Sequence, residues 1–199
     1  MGKRLNVGII GCGAISGSHV NGYLDFSDRV KILAICDVLE EKARNRAESI
    51  MSESSKRIQQ LDERMEGAKA SEKKEWLTTQ REYLEQYSEE QVQIFSDYNE
   101  MLKLPNLDMI SICTPPFVHA PVTIAAAQAG KHVYCEKPMA MTATEAKAMC
   151  DSCNQANVKL GYQSGGTRLG GTNYAIRDYV TSGKIGDVYY GRMTSFRVR

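Results

Sequence analysis

The order strand, glycine turn, helix, strand at the amino end constrains this chain more than any other feature. Leu5 to Ile10 is a short apolar run that stops at Gly11-Cys12-Gly13. Ala14 to Phe26 then reads as a helix, and Val30 to Cys36 is a second apolar, β-branched run ending at Asp37. Neither run alternates polar with apolar residues, so both strands are expected to be buried on two faces, which requires a parallel sheet covered by helices. The rhythm continues with a weak strand at Val92 to Phe95, a helix from Asp97 to Lys103 stopped before Pro105, and a strand at Met109 to Cys113. A helix from His119 to Ala129 closed by Gly130, a strand at His132 to Cys135, a helix to about Ala156 opened by the capping box Thr142 and Glu145, and a strand at Val158 to Tyr162 complete it. Six strands with intervening helices predict a doubly wound α/β sheet.

One stretch breaks the rhythm. From about Glu48 to Gln91 charged residues dominate and apolar ones recur only at helical spacing, as in Ile58-Leu61-Met65 and Trp76-Tyr83-Tyr87. This predicts an inserted antiparallel helical hairpin turning at 67–71, either zipped on itself in solvent or presenting Trp76 and the tyrosines to a partner. Past Tyr162, Gln163 opens a glycine-rich loop to Gly171 that can approach a ligand closely. A helix from Thr172 to Ser182 follows, and Val188 to Val198 reads as a lone, partly apolar strand in need of sheet partners. The expected organisation is a dinucleotide-binding domain over 1–138, with the last elements of its sheet and the start of a second α/β domain over 139–199. That makes the chain the amino-terminal portion of a longer architecture.

Chemistry is expected at the carboxyl edge of the sheet. Gly11 permits a tight turn, Gly13 lets a pyrophosphate approach the backbone, and the free amides of Ala14 and Ile15 face it with the positive end of a helix dipole behind them. The third position of the fingerprint is Ser16, with Gly17 next. Asp37 ends the second strand, where a carboxylate accepts bonds from a ribose diol and repels a 2′-phosphate, which favours NAD over NADP; it also suits a turn residue capping the next helix. Thr114-Pro115-Pro116 and Glu136-Lys137-Pro138 follow the fourth and fifth strands onto the same edge. A lysine there can act as acid or base at a substrate hydroxyl, and Glu136 is placed to hold it.

The Gly11-Cys12-Gly13 turn, Asp37, the stretch Cys113-Thr114-Pro115-Pro116-Phe117-Val118-His119, Glu136-Lys137-Pro138 and Gly183-Lys184-Ile185-Gly186 together resemble the glucose-fructose oxidoreductase, inositol dehydrogenase and rhizopine-catabolism (Gfo/Idh/MocA) family. The resemblance covers nearly the whole chain except the hairpin. It implies a Rossmann domain followed by an open-sheet α/β domain, with hydride transfer between a nicotinamide and a hydroxyl-bearing carbon of a sugar, cyclitol or polyol. It implies Lys137 as the catalytic lysine, and Thr114, Pro115 and His119 beside the cofactor. His19 matches a histidine common on the first helix. Gln163 joins Glu136 and Lys137 as a candidate cofactor contact, and Arg168 is a possible contact in the glycine-rich loop. The family's further catalytic histidine belongs to a second domain beyond Arg199. Two other readings stay open: glycoside cleavage through transient oxidation by NAD, and a non-catalytic dinucleotide-binding or interaction protein.

Composition narrows the partners. With 25 basic and 24 acidic residues the net charge is +1, which gives no field to gather a nucleic-acid backbone or an anionic membrane. No apolar stretch approaches the roughly 20 residues of a membrane span. Val7 to Ile10 after Lys3-Arg4 mimics a signal peptide, but glycines at 8, 11 and 13 argue for mature structure. Six cysteines in 199 residues are too dilute for a disulfide scaffold, so a reducing cytoplasm is expected. Cys150-x-x-Cys153 has metal spacing. It shares a helix face with Ala146 and Met149, so small buried hydrophobes are expected there and no metal. A homo-oligomer is the expected assembly.

Overall fold

The computed structural model describes residues 4–66, 71–89, 92–164, 171–192 and 194, and divides the chain into two compact units, 1–163 and 164–199. The first unit is a six-stranded parallel sheet of β1 (Leu5–Ile10), β2 (Val30–Cys36), β3 (Gln93–Phe95), β4 (Met109–Ile112), β5 (His132–Cys135) and β6 (Leu160–Tyr162) in the order β3-β2-β1-β4-β5-β6. The order reverses between β1 and β4, and a doubly wound sheet binds its ligands in the crevice at that switch point.

Side-chain alternation along each strand supplies two cores. Val7, Ile9, Ile32 and Ile35 pack under α1 (Ala14–Asp25), α2 (Glu40–Glu66) and α3 (Ser71–Glu89). Ile10, Ala34, Ile110, Ile112 and Val133 pack under α4 (Tyr98–Leu102), α5 (His119–Gln128) and α6 (Ala143–Gln155). Local signals set the helix ends. Asp97 caps α4 by accepting from the Asn99 amide, and Thr142 and Glu145 form a reciprocal capping box on α6. Gly130, at φ 72, closes α5 in the left-handed conformation that glycine adopts without strain.

The hairpin departs from expectation in two ways. It has no boundary near residue 48, because α2 runs unbroken for 27 residues from Glu40, so the crossover helix after β2 is itself one arm. The two arms do pack along each other, with Arg81 donating to Asp62 Oδ1 at 2.7 Å, but the pair does not stand free in solvent. Leu77, Leu84 and Tyr87 are buried against Leu24, Ile50 and Leu61 in the core beneath α1. Leu77, Gln80, Leu84 and Tyr87 fall on one helix face that points inward; of the expected stripe Trp76-Tyr83-Tyr87 only Tyr87 is fully buried, and Trp76 is exposed. Polar groups complete the docking: Ser27 donates to Gln80 at 2.8 Å, and Arg57 pairs with Asp25. β3 pairs with β2 only from Ala34 onward. The Ile32 amide, nearer the start of β2, donates instead to the Tyr87 hydroxyl at 2.8 Å.

The second unit contains α7 (Gly171–Thr181), followed by turns at Gly183 and Gly186, both at positive φ. Among the described residues 182–192 and 194 there is no strand, and the rest of the expected strand at 188–198 lies outside the described residues, as does Arg168. Among the described residues no helix is long and apolar enough to cross a membrane.

Candidate functional site

The switch point is built around Gly11. Its φ is +92, and a Cβ there would lie 2.7 Å from the Cys113 carbonyl carbon and 2.8 Å from the Thr114 nitrogen. Only glycine lets the ends of β1 and β4 come this close. Hydrogen bonds from Gly11 N–H to Cys36 O (2.8 Å) and from Cys113 N–H to Ile10 O (2.7 Å) tie three strand ends into one edge. Gly13 differs. As the N-cap of α1 it has an ordinary extended conformation (φ −70, ψ −175), so its backbone does not require glycine. No atom lies within 4 Å of where its Cβ would be, and no side chain caps the helix. The turn therefore presents an open approach to the first amides of α1, those of Ala14 and Ile15.

Asp37 is fixed to that turn. Its Oδ2 accepts from the Cys12 amide at 2.8 Å and its Oδ1 from the Leu39 amide at 2.9 Å. It therefore holds the turn that enters α2, and it is also aimed at the glycine turn, so the two readings of this residue are compatible. Each carboxylate oxygen keeps a lone pair for a further donor. The surrounding cleft, about 600 Å³, is lined by Gly11, Gly13, Ala14, Ile15, Asp37, Thr114 and Pro115, with Val38, Leu39 and Phe117 exposing apolar surface at its mouth. Within it the Thr114 hydroxyl is buried with no hydrogen-bond partner among the described residues. Buried hydroxyls are normally satisfied, so this one fits a bound group that supplies the missing bond.

The other expected residues lie elsewhere. His119 is fully buried, with Nε2 2.9 Å from Thr114 O and Nδ1 2.8 Å from Pro138 O. It offers no side-chain surface to the cleft, and braces the loops after β4 and β5 against each other instead. Glu136 and Gln163 line an adjoining cleft of about 570 Å³, with His19, Tyr23 and Tyr134; Ile15 borders both. The Tyr134 hydroxyl donates to Gln163 Oε1. Glu136 is 5% exposed, and it accepts from His19 Nε2 at 2.9 Å and from the Lys137 backbone amide at 3.0 Å. The expected hold on the Lys137 ammonium is thus corrected to one on its backbone, and the Lys137 side chain is exposed. His19 Nδ1 lies 2.8 Å from Ser111 Oγ, which completes a chain from β4 through α1 to the end of β5. Sequence reasoning missed Ser111, whose signal is a lone hydroxyl inside the apolar strand Met109-Ile110-Ser111-Ile112.

The cysteines around this edge are inert. Burial pushes the thiols of Cys12, Cys36, Cys113 and Cys135 up to about 12, so none is a nucleophile near neutral pH. Cys153 is buried as expected, but Cys150 is exposed, because its position on α6 turns away from the face that Met149 and Cys153 bury.

The sequence profile of the Gfo/Idh/MocA group, described as an oxidoreductase family with an NAD-binding Rossmann fold, matches residues 71–164, from α3 through β6. Residues 71–164 thus carry the NAD-binding Rossmann segment of the Gfo/Idh/MocA oxidoreductases. The cofactor of this family is NAD, and the matched segment carries both Thr114-Pro115 and Glu136-Lys137-Pro138. Among Gfo/Idh/MocA relatives, the levoglucosan dehydrogenase of Pseudarthrobacter phenanthrenivorans is 37% identical over 102 residues, 51% of this chain and 25% of that protein. The myo-inositol 2-dehydrogenase of Thermotoga maritima is 26% identical over 192 residues, 96% of this chain and 45% of that protein. The crystal structure of the WlbA dehydrogenase from Bordetella pertussis, in complex with NADH and UDP-GlcNAcA, superposes with a TM-score of 0.65 at 25% identity, covering 94% of this chain and 45% of that one. The chain spans less than half the length of each.

Proposed function

We propose that this chain is the dinucleotide-holding part of an NAD-dependent oxidoreductase acting on a hydroxyl of a sugar, cyclitol or related polyol. One observation carries the reading: Gly11, Gly13, Asp37 and Thr114 line a single cleft at the switch point, with Glu136 and Lys137 on the neighbouring strand end. The substrate class rests on the relatives, which include enzymes named for levoglucosan and for myo-inositol.

In this proposal the amides of Ala14 and Ile15 receive the pyrophosphate, and Asp37 accepts from the adenosine ribose hydroxyls. Thr114 and Pro115 border the nicotinamide half, where the Thr114 hydroxyl gains its partner. The cofactor supplies a hydride acceptor when bound. Lys137 takes the proton of the reacting hydroxyl, Glu136 fixes the Lys137 backbone, and His119 sets the spacing of the two loops. Gln163, oriented by Tyr134, borders the adjoining cleft. Six free thiols support a reducing, cytoplasmic setting, and a homo-oligomer belongs to the same proposal.

Calorimetry with NAD and NADP tests the reading. NAD is expected to bind several-fold more tightly, because a 2′-phosphate would meet the Asp37 carboxylate. Equal affinity would remove Asp37 from this role, and failure to bind either dinucleotide would overturn the proposal.

A further inference from the structure

The glycine fingerprint of this chain is displaced by one residue, with Ser16 at its third position and Gly17 after it, and the structure gives a reason. Gly13 O is an unusually crowded acceptor: Ser16 N–H donates to it at 3.2 Å, Ser16 Oγ at 2.6 Å, and the Arg46 guanidinium at 3.1 Å. Arg46 comes from α2 and passes directly over Gly17, where a Cβ would lie 3.2 Å from Nη1. Among the described residues Arg46 has no carboxylate partner, and its other hydrogen bond is to Ser49 Oγ. A Cβ at residue 17 would press on the tip of the arginine and displace it by a few tenths of an ångström, while Ser16, fully buried, adds its hydroxyl to the same carbonyl.

The consequence lies on the far side of the peptide. In a trans peptide the C=O and the following N–H point in opposite directions, so holding Gly13 O against α2 holds the Ala14 N–H toward the cleft. Every helix turns its first amides outward. Here one of them is also locked from behind by a charged donor, and Arg46 and Lys42 line a recess beside Cys12, Gly13 and Ala14. We infer that Arg46 is a positioning residue for the dinucleotide pyrophosphate, acting through the Gly13–Ala14 peptide, and that Ser16-Gly17 is its structural counterpart in α1. The inference rests on the dinucleotide reading given above.

The test compares ligands with and without a pyrophosphate on the same protein. Arg46→Met is expected to weaken ADP-ribose and NAD roughly tenfold, the effect of one charge-assisted hydrogen bond. It should leave adenosine within about twofold and shift the Ala14 amide resonance before any ligand is added. Gly17→Ala keeps the arginine and favours the helix, yet should weaken ADP-ribose by about threefold as the guanidinium is displaced. Combining Arg46→Met with Ser16→Ala should give less than the product of the single effects, because both side chains hold one carbonyl. Unchanged ADP-ribose affinity in Arg46→Met overturns the inference, as does an equal loss of adenosine and ADP-ribose. A parent protein that binds no dinucleotide refutes the functional proposal itself, a failure visible before any variant is made.

Discussion

Two glycines two positions apart, Gly11 and Gly13, should respond differently to the same added methyl group. At Gly11 an alanine would keep φ at +92, a left-handed conformation costing an L-residue roughly 1–2 kcal/mol. Its Cβ would also stand 2.7–2.8 Å from backbone atoms of Cys113 and Thr114, which cannot swing aside as a side-chain tip can. Forcing two strand ends apart adds about 1–3 kcal/mol, the usual cost of overpacking. The sum, roughly 2–5 kcal/mol, corresponds to a fall of about 5–15 °C in Tm for a unit of this size. At Gly13 the conformation suits any residue and no atom lies within 4 Å of the new Cβ, so the melting temperature should move by less than about 2 °C. Dinucleotide affinity should instead fall tenfold or more, because the methyl group occupies the approach to the Ala14 and Ile15 amides. Thermal melts followed by calorimetry with NAD separate the two effects. A Gly11→Ala protein that melts with the parent, or a Gly13→Ala protein that binds NAD as tightly as the parent, would refute the division of labour argued here.

Tyr87→Phe should cost about 1–3 kcal/mol in urea unfolding, the penalty of leaving the buried Ile32 amide without its acceptor, while NAD affinity stays as in the parent. At pH 8 iodoacetamide should modify Cys150 alone quickly, and all six cysteines only after unfolding, since the others are buried. The pH dependence follows from the same thiols. Their folded values, about 12, stand above the ordinary 9.0, so the folded state holds protons that the unfolded chain releases. Their contribution is complete below about pH 9 and is lost as pH rises toward 12, so urea midpoints should decline across that window and not on its acid side. Lys137→Met keeps the stem's bulk on an exposed side chain, so folding and NAD affinity should persist while turnover in the complete enzyme falls about 10²- to 10⁴-fold; turnover within threefold would make the motif a structural corner.

What could be read from the sequence was what short-range patterns encode. The strand ends at Gly11, Asp37, Thr114 and Glu136 were legible because an apolar run followed by glycine, proline or charge marks where a buried strand leaves the sheet. The Thr142–Glu145 box and the Gly130 cap were legible because caps act within four residues. The hairpin was misread because burial depends on what a helix meets in space. Charged α2 and α3 look self-sufficient until α1 is placed beside them, with Asp25 for Arg57 and Ser27 for Gln80. Lys137 and Glu136 are adjacent in sequence, and adjacency suggested a side-chain pair; the carboxylate is instead committed to His19, which stands 117 residues away. Arg46 gave no signal, for an arginine in a charged helix is ordinarily solvated.

Two of these long-range bonds, Asp25 with Arg57 and His19 with Glu136, are made by α1. The start of α1 lines the cleft at the switch point through Gly13, Ala14 and Ile15, and its second turn carries His19, which in the neutral ring donates to Glu136 and accepts from Ser111. Glu136 in turn fixes the amide of Lys137. A displacement of α1 toward or away from the β1–β4 edge would therefore move the Ala14 and Ile15 amides and the lysine corner together. The side chains of His19 and Glu136 are each 7% exposed, so water cannot readily replace either partner if they separate. Losing His19 would leave Glu136 a buried carboxylate with only a backbone donor, and the residue expected to move in response is Lys137 rather than anything lining the cleft at the switch point.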